Sequence, residues 1–321
     1  MRFLLVGYSS IGQRRLLPAL ASLGVTAVDV ATRSRWPALT AASGTLPHGL
    51  QGQFFHDYAE ALAVSTAEIV YISTVNSLHA ELAQAALQQG RHVIVDKPIT
   101  TDLDAARRLV EQARHAGRML AEATVYAYHP QIAAIQRLFR DAGSQPTQIV
   151  AAFTFPKLPA DNFRHQAALG GGALWDLGPY AVTPGRLFFD AAPVEVVCRP
   201  SAGVGQAVES GFSVLARYPG DRTMVGHFGM GAGYLNQLHL LGPEMALSVE
   251  RIFTTAPDQD AILRLNQRNQ LHTVAVPAAD SFACFLRTVL VAIADGRMTT
   301  FADDILADAE AMAQLRAAAP G

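Results

Sequence analysis

Cysteine is nearly absent from this chain of 321 residues: there are two, Cys198 and Cys284, far apart and without ligand spacing. That excludes a disulfide scaffold and a cysteine zinc site, and fits a reducing compartment. Charge is thin as well, at 16% of residues with a formal net charge of −2, and the arginines are scattered. No basic stripe for nucleic acid results. The ten histidines follow no His-Glu-x-x-His pattern and the cysteines no Cys-x-x-Cys, so no protein-bound metal is expected. A Gly-x-Ser-x-Gly elbow for hydrolysis is missing too. No apolar run approaches the roughly 20 residues that span a bilayer. The apolar stretch at the amino terminus ends in the turn glycine Gly7, not in a cleavage site. The expectation is a cytoplasmic protein with no membrane partner. Neither an internal repeat nor a low-complexity linker interrupts the chain.

What remains is a chain that is half apolar, enough to bury a large core, and long enough for two domains. Up to residue 125 apolar strands alternate with helical patterns. Strands are predicted at 2–7, 26–32, 68–73, 92–96 and 119–125, and helices at 11–23, 78–89 and 102–116. Thr101 is the expected N-cap of the third helix, and Gly90 and Gly117 stop the second and third. This alternation reads as an α/β doubly wound parallel sheet, a Rossmann domain over 1–125. From about Thr147 longer strands follow one another, at 148–156, 194–199, 210–218, 223–230 and 235–241, with helices at 130–141, 179–189, 281–295 and 302–318. Residues 126–321 therefore read as an α+β domain with a mainly antiparallel open sheet.

Four segments carry candidate chemistry. The first is Gly7-Tyr-Ser-Ser-Ile-Gly12, between the first strand and the first helix. It keeps the first and last glycines of the dinucleotide fingerprint and puts Ser9 in the middle position. Gly7, Ser9, Ser10, Ile11 and Gly12 are the candidate pyrophosphate turn, with the serine hydroxyls able to donate to phosphate. The second strand ends in Thr32-Arg-Ser-Arg35, where an acid for the ribose hydroxyl would stand. Thr32, Arg33 and Ser34 suit a 2′-phosphate and favour NADP(H). NAD(H) is the rival if mid-strand Asp29 is the ribose acid. The third segment is His92-Val-Ile-Val-Asp-Lys-Pro98, which pins Lys97 at the carboxyl end of a buried strand, where open sheets bind ligands. Ser73, Thr74, Asn76 and His79 reach the same edge. The fourth is Gly170-Gly-Gly-Ala-Leu-Trp-Asp-Leu-Gly-Pro-Tyr180, with Asp176 four residues before Tyr180.

Taken in order, Gly7–Gly12, Ser73-Thr-Val-Asn-Ser-Leu-His79, Asp96-Lys-Pro98 and Gly170–Tyr180 resemble the glucose–fructose oxidoreductase/inositol dehydrogenase (Gfo/Idh/MocA) family. The resemblance covers nearly the whole chain. Departures are Ser9 for glycine, Val75 for proline, Asp96 for glutamate and Tyr180 for the frequent histidine. The family implies an NAD(P)-dependent oxidoreductase, with Asp96 and Lys97 at the cofactor and a homodimer or homotetramer formed through the second sheet. Members with tyrosine in that place include reductases of nucleotide-linked keto sugars and dihydrodiol dehydrogenases. The stretch Tyr234–Phe253 and the segment Tyr128-His-Pro-Gln131 look most like the former.

Carbonyl reduction needs a proton for the oxygen. A phenol with pKa about 10 is a weak donor at neutral pH unless an ammonium lies near it. Lys97 and Tyr180 are therefore the candidate catalytic pair. Asp176, Arg164 and Tyr128 are candidate substrate contacts, and Gly170–Gly172 is expected to let backbone approach substrate or nicotinamide. The expected activity is NADP(H)-dependent hydride transfer to a sugar carbonyl, with a nucleotide sugar as the small-molecule partner. Dehydrogenation of a free sugar, cyclitol or dihydrodiol, and non-catalytic binding of NADP or sugar by a regulator, are the alternatives.

Overall fold

The computed structural model describes residues 1–33, 45–201 and 207–319. The chain divides into two units, residues 1–124 with 282–306 and residues 125–281 with 307–319. The segment 282–306 thus groups with the first unit rather than with the sheet that precedes it.

The first unit holds a six-stranded sheet of β1 (Arg2–Val6), β2 (Ala27–Ala31), β3 (Phe54–Phe55), β4 (Ile69–Ile72), β5 (His92–Asp96) and β6 (Leu120–Ala123). Their order is β3-β2-β1-β4-β5-β6 and every pairing is parallel. The order reverses between β1 and β4, the switch point where an open α/β sheet binds its ligand. β4 is buried along its whole length and β1 after its first residue, as a sheet covered on both faces requires.

The first helix differs from its expected form. Residues Gly12–Leu16 are π-helical, and the α-helical part that follows is Leu17–Ser22 (α1). Pro18 has no N–H to give, and the Leu17 N–H reaches back five residues to the Gly12 carbonyl. The α2 helix (Tyr58–Val64) is capped by Asp57. It is followed by α3 (His79–Gln88) and α4 (Leu103–Ala116). The N-cap of α4 is Asp102, whose carboxylate accepts the Ala105 N–H, and not Thr101. Gly117 closes α4 in the left-handed region, as expected.

The second unit holds eight strands: β7 (Gln148–Phe155), β8 (Glu195–Ser201), β9 (Gly211–Tyr218), β10 (Arg222–Met230), β11 (Leu235–Leu241), β12 (Met245–Glu250), β13 (Ala261–Gln267) and β14 (Gln270–Val276). The order is β14-β13-β12-β11-β7-β10-β9-β8, antiparallel except for β7 beside β10. The last three strands extend the expected sheet. Helices α5 (Pro130–Asp141) and α6 (Ala173–Phe189) belong to this unit, and its core joins apolar residues of both to one face of the sheet. Two more helices, α7 (Ser281–Ala294) and α8 (Ala302–Ala317), close the chain. The α6 helix starts six residues before the expected Pro179 and carries Pro179 and Pro184 inside it. Among the described residues no helix is long and apolar enough to cross a membrane.

Candidate active site

Gly7 sits at φ +93°, a conformation open to glycine, and a Cβ there would lie 2.3 Å from the Ser73 carbonyl oxygen. The turn is therefore pressed onto the residue after β4. Ser9 caps the helix that follows, its Oγ accepting the Gly12 N–H at 2.9 Å. The same Oγ lies 2.6 Å from Ser73 Oγ. Ser73 in turn donates to Asp96 Oδ2 at 2.5 Å, and Tyr71 donates to Asp96 Oδ1 at 2.7 Å. The Ser9 hydroxyl, expected to face phosphate, is here engaged within the protein. Ser10 is exposed and accepts from Arg14 Nε at 3.0 Å, and Ile11 is exposed beside it.

Lys97 follows directly on β5, half-buried, and its peptide bond to Pro98 is cis. Both sides of this turn are anchored. Asp96 is held by Tyr71 and Ser73; the Pro98 carbonyl meets His79 Nδ1 at 2.8 Å; the Ile99 N–H donates to Glu122 Oε2 at 2.9 Å. Burial, then the charge of Asp96, push the Tyr71 phenol well up, so Tyr71 stays a proton donor to that carboxylate. His79 was expected at the cofactor. Its ring is wholly buried and its other nitrogen lies 3.3 Å from the Thr74 carbonyl, so it braces two turns from beneath. Burial also lowers its proton affinity. Asn76 is buried at the start of the same helical stretch, and Thr74 Oγ1 donates to the Val75 carbonyl.

At the end of β2, Thr32 is buried and its N–H donates to the Phe55 carbonyl. Arg33 is more than half exposed, stacked 4.4 Å over the Tyr58 ring and 3.7 Å from Asp57. Ser34 and Arg35 lie outside the described residues. Asp29 does not stand where a ribose would meet it. It is 1% exposed and bonded to Arg2 Nη1, the Gln53 N–H and Ser65 Oγ, which ties β2 to its neighbours. The donor set at this strand end is thus a guanidinium and no carboxylate of β2. That fits a 2′-phosphate, provided Asp57 gives way to it.

In the second unit, α6 carries both Asp176 and Tyr180, one turn apart on one side of the helix. Tyr180 is half-buried among aromatic rings: Phe153 at 5.1 Å, Phe253 at 5.3 Å and Tyr126 at 5.8 Å between centroids. Asp176 is paired with Arg164, whose Nε lies 2.7 Å from Oδ2. Two candidate substrate contacts therefore meet each other. Tyr128 is half-buried in the 3-10 turn Val125–Tyr128. The glycine run has a different use from the one expected. A Cβ at Gly171 would lie 2.7 Å from the Phe163 and Arg164 carbonyls, and one at Gly172 would lie 2.6 Å from the Glu209 carboxylate. These glycines admit the protein's own backbone and Glu209, whose Oε1 accepts the Leu174 N–H at the start of α6.

Sequence reasoning missed Tyr71, Glu122 and Phe253. Tyr71 and Glu122 stand alone as polar groups in apolar strands, and a buried polar group needs a partner; that is the signal that finds them. Phe253 is fixed by its N–H to Asn236 Oδ1, a contact between β11 and a loop that local sequence does not reveal. Among the described residues no group of three or more His, Cys, Asp or Glu is placed to hold a metal ion.

A glycine turn at a parallel-sheet switch point, with a lysine seated at the end of β5, two strands away, fits a nucleotide-dependent oxidoreductase architecture. Comparison with known proteins makes this specific. Residues 1–124 match the model of the oxidoreductase family with an NAD-binding Rossmann fold, and residues 140–248 match the GFO/IDH/MocA C-terminal domain. The chain belongs to the Gfo/Idh/MocA family of oxidoreductases. It is 30% identical over 295 residues to a dTDP-3,4-didehydro-2,6-dideoxy-alpha-D-glucose 3-reductase of Actinomadura kijaniata, covering 91% of this chain and 87% of that protein. A reductase of the same name from Streptomyces violaceoruber is 31% identical over 287 residues, covering 87% and 81%. Among solved structures, a variant of the A. kijaniata 3-ketoreductase KijD10 in complex with TDP-benzene and NADP superposes with a TM-score of 0.91 at 29% identity, over 99% of this chain and 98% of that one.

Proposed function

We propose that this oxidoreductase is an NADP(H)-dependent reductase of a keto sugar carried on a nucleotide. The observation that carries the reading is the seat of Lys97, anchored through Asp96, Pro98 and Ile99 at the carboxyl edge of a dinucleotide-type sheet. Bound NADPH would supply a hydride to the carbonyl carbon. Tyr180 would give its phenolic proton to the carbonyl oxygen, and the Lys97 ammonium would stabilise the charge developing there. Arg33 would hold the 2′-phosphate, while Asp176 and its partner Arg164 would contact the substrate together with Tyr128. The A. kijaniata and S. violaceoruber reductases and the TDP-benzene complex of KijD10 support a nucleotide-linked substrate. We further propose a cytoplasmic homo-oligomer built on the open face of the second sheet.

The test begins with fluorescence titration of NADPH and NADH. NADPH should bind more tightly, and Arg33→Ala should weaken NADPH by about tenfold or more, the worth of a charge-assisted contact, while leaving NADH within about twofold. Equal loss for both nucleotides would remove the 2′-phosphate role. Turnover of a dTDP-linked 3-keto sugar, followed by NADPH absorbance, then tests the substrate class.

A further inference from the structure

Ser9 stands at the fingerprint position where glycine lets a pyrophosphate approach, and its hydroxyl proton is committed elsewhere. A carboxylate accepts only, so the Ser73 proton goes to Asp96 Oδ2. Ser73 Oγ then has only a lone pair for Ser9, so the Ser9 proton goes to Ser73. A lone pair of Ser9 takes the Gly12 N–H. The chain Gly12 N–H, Ser9, Ser73, Asp96 runs in one direction across the carboxyl ends of three adjacent strands, β1, β4 and β5. It begins on the helix turn that would cradle a phosphate and ends on the residue before Lys97. Hydrogen bonds in such a chain polarise one another, so a change at one end is felt at the other. Ser9 and Asp96 are both departures from the family pattern, serine for glycine and aspartate for glutamate, and they are joined by one intervening hydroxyl, that of Ser73.

We propose that Ser9 is a positioning residue that acts through Ser73 on Asp96, tying occupancy of the glycine turn to the seating of Lys97. The proposal rests on the nucleotide-binding reading above. Its test is a double-mutant cycle read by NADPH titration of the wild type, Ser9→Ala, Ser73→Ala and the double variant. Each single change should raise Kd about three- to tenfold, and the double variant no further than the worse single one. Kd values that multiply in the double variant would show Ser9 acting on the nucleotide by itself, and an unchanged Kd in Ser9→Ala would show that it does not act at all; either overturns the proposal. Ser9→Thr keeps the hydroxyl and should return Kd to within about twofold of wild type, whereas a Thr variant as weak as Ala counts against the chain.

A second readout needs neither nucleotide nor substrate. The chain has two lysines, Lys97 and Lys157, so acylation of Lys97 relative to Lys157 can be followed by peptide mass spectrometry. The ratio should change at least about twofold in Ser9→Ala and Ser73→Ala and stay at the wild-type value in Ser9→Thr. One ratio in all four proteins would break the link to Lys97. Thermal unfolding checks each variant, and Ser9→Gly, which still suits a helix cap, replaces Ser9→Ala where that variant does not fold. Wild-type protein that binds no NADPH would remove the functional reading, while the labelling result still reports on the chain.

Discussion

Tyr180 is packed by three aromatic rings, so its phenol is held by shape, and removing the oxygen alone leaves that packing in place. Tyr180→Phe is therefore the clean test of the proton donor. Turnover should fall about 10²- to 10⁴-fold, the usual share of general acid catalysis, with NADPH affinity unchanged. Full activity would assign the proton to another group. A second residue-scale consequence concerns acid. His79, His92 and His129 all have lowered proton affinity, burial being the first cause in each. The unfolded chain then binds more protons than the folded one just below pH about 6.5. Their stabilising contribution is complete above that value and is lost as pH falls toward their folded-state values. The urea midpoint should therefore drop between about pH 7 and 5.5, and His79→Asn should flatten the slope. An identical slope in both proteins would show that His79 takes no part.

At the scale of elements, most boundaries were legible because apolar periodicity and glycine stops were strong, as in α4 and its Gly117 end. Where two neighbours both cap well, only geometry chooses. Thr101 and Asp102 are such a pair, and Asp102 takes the Ala105 N–H. Asp102→Ala should cost about 1 kcal/mol of stability and Thr101→Ala less than about 0.5, measured by denaturant unfolding. The reverse order would return the cap to Thr101. The hairpin of β13 and β14 escaped sequence reading for a different reason. Its loop, Arg268-Asn269, has both residues at positive φ, the turn geometry that Asn-Gly usually signals and Arg-Asn does not. The early start of α6 escaped because Pro179 looks like a helix opening, whereas here a buried environment overrides its cost.

On the whole-molecule scale, the eight-stranded sheet has one face in the core and one open. On the open face Val197, Leu215, Val225 and Val150 sit opposite one another across four neighbouring strands, each 39–47% exposed. A cross-strand apolar row of this kind is what a second copy of the chain would cover. Leu215→Arg should lower the mass seen by sedimentation velocity while leaving the thermal transition of the subunit in place. A monomeric wild type would end the oligomer proposal.

The sequence by itself determined the doubly wound first unit, the glycine turn and the place of Lys97, because strand–helix alternation and the Asp-Lys-Pro step are local and steric. It also pointed to a guanidinium instead of an acid at the end of β2. Only the tertiary structure decided what those residues touch. It turned Ser9 inward to Ser73, buried Asp29 and His79, joined Arg164 to Asp176, and filled the space beside Gly171 and Gly172 with the chain itself. Some of these contacts join segments far apart in sequence, as Ser9 to Ser73, and others fold a single loop back on itself, as Arg164 to Asp176; in both cases hydrogen-bond direction and burial exist only once the chain has packed.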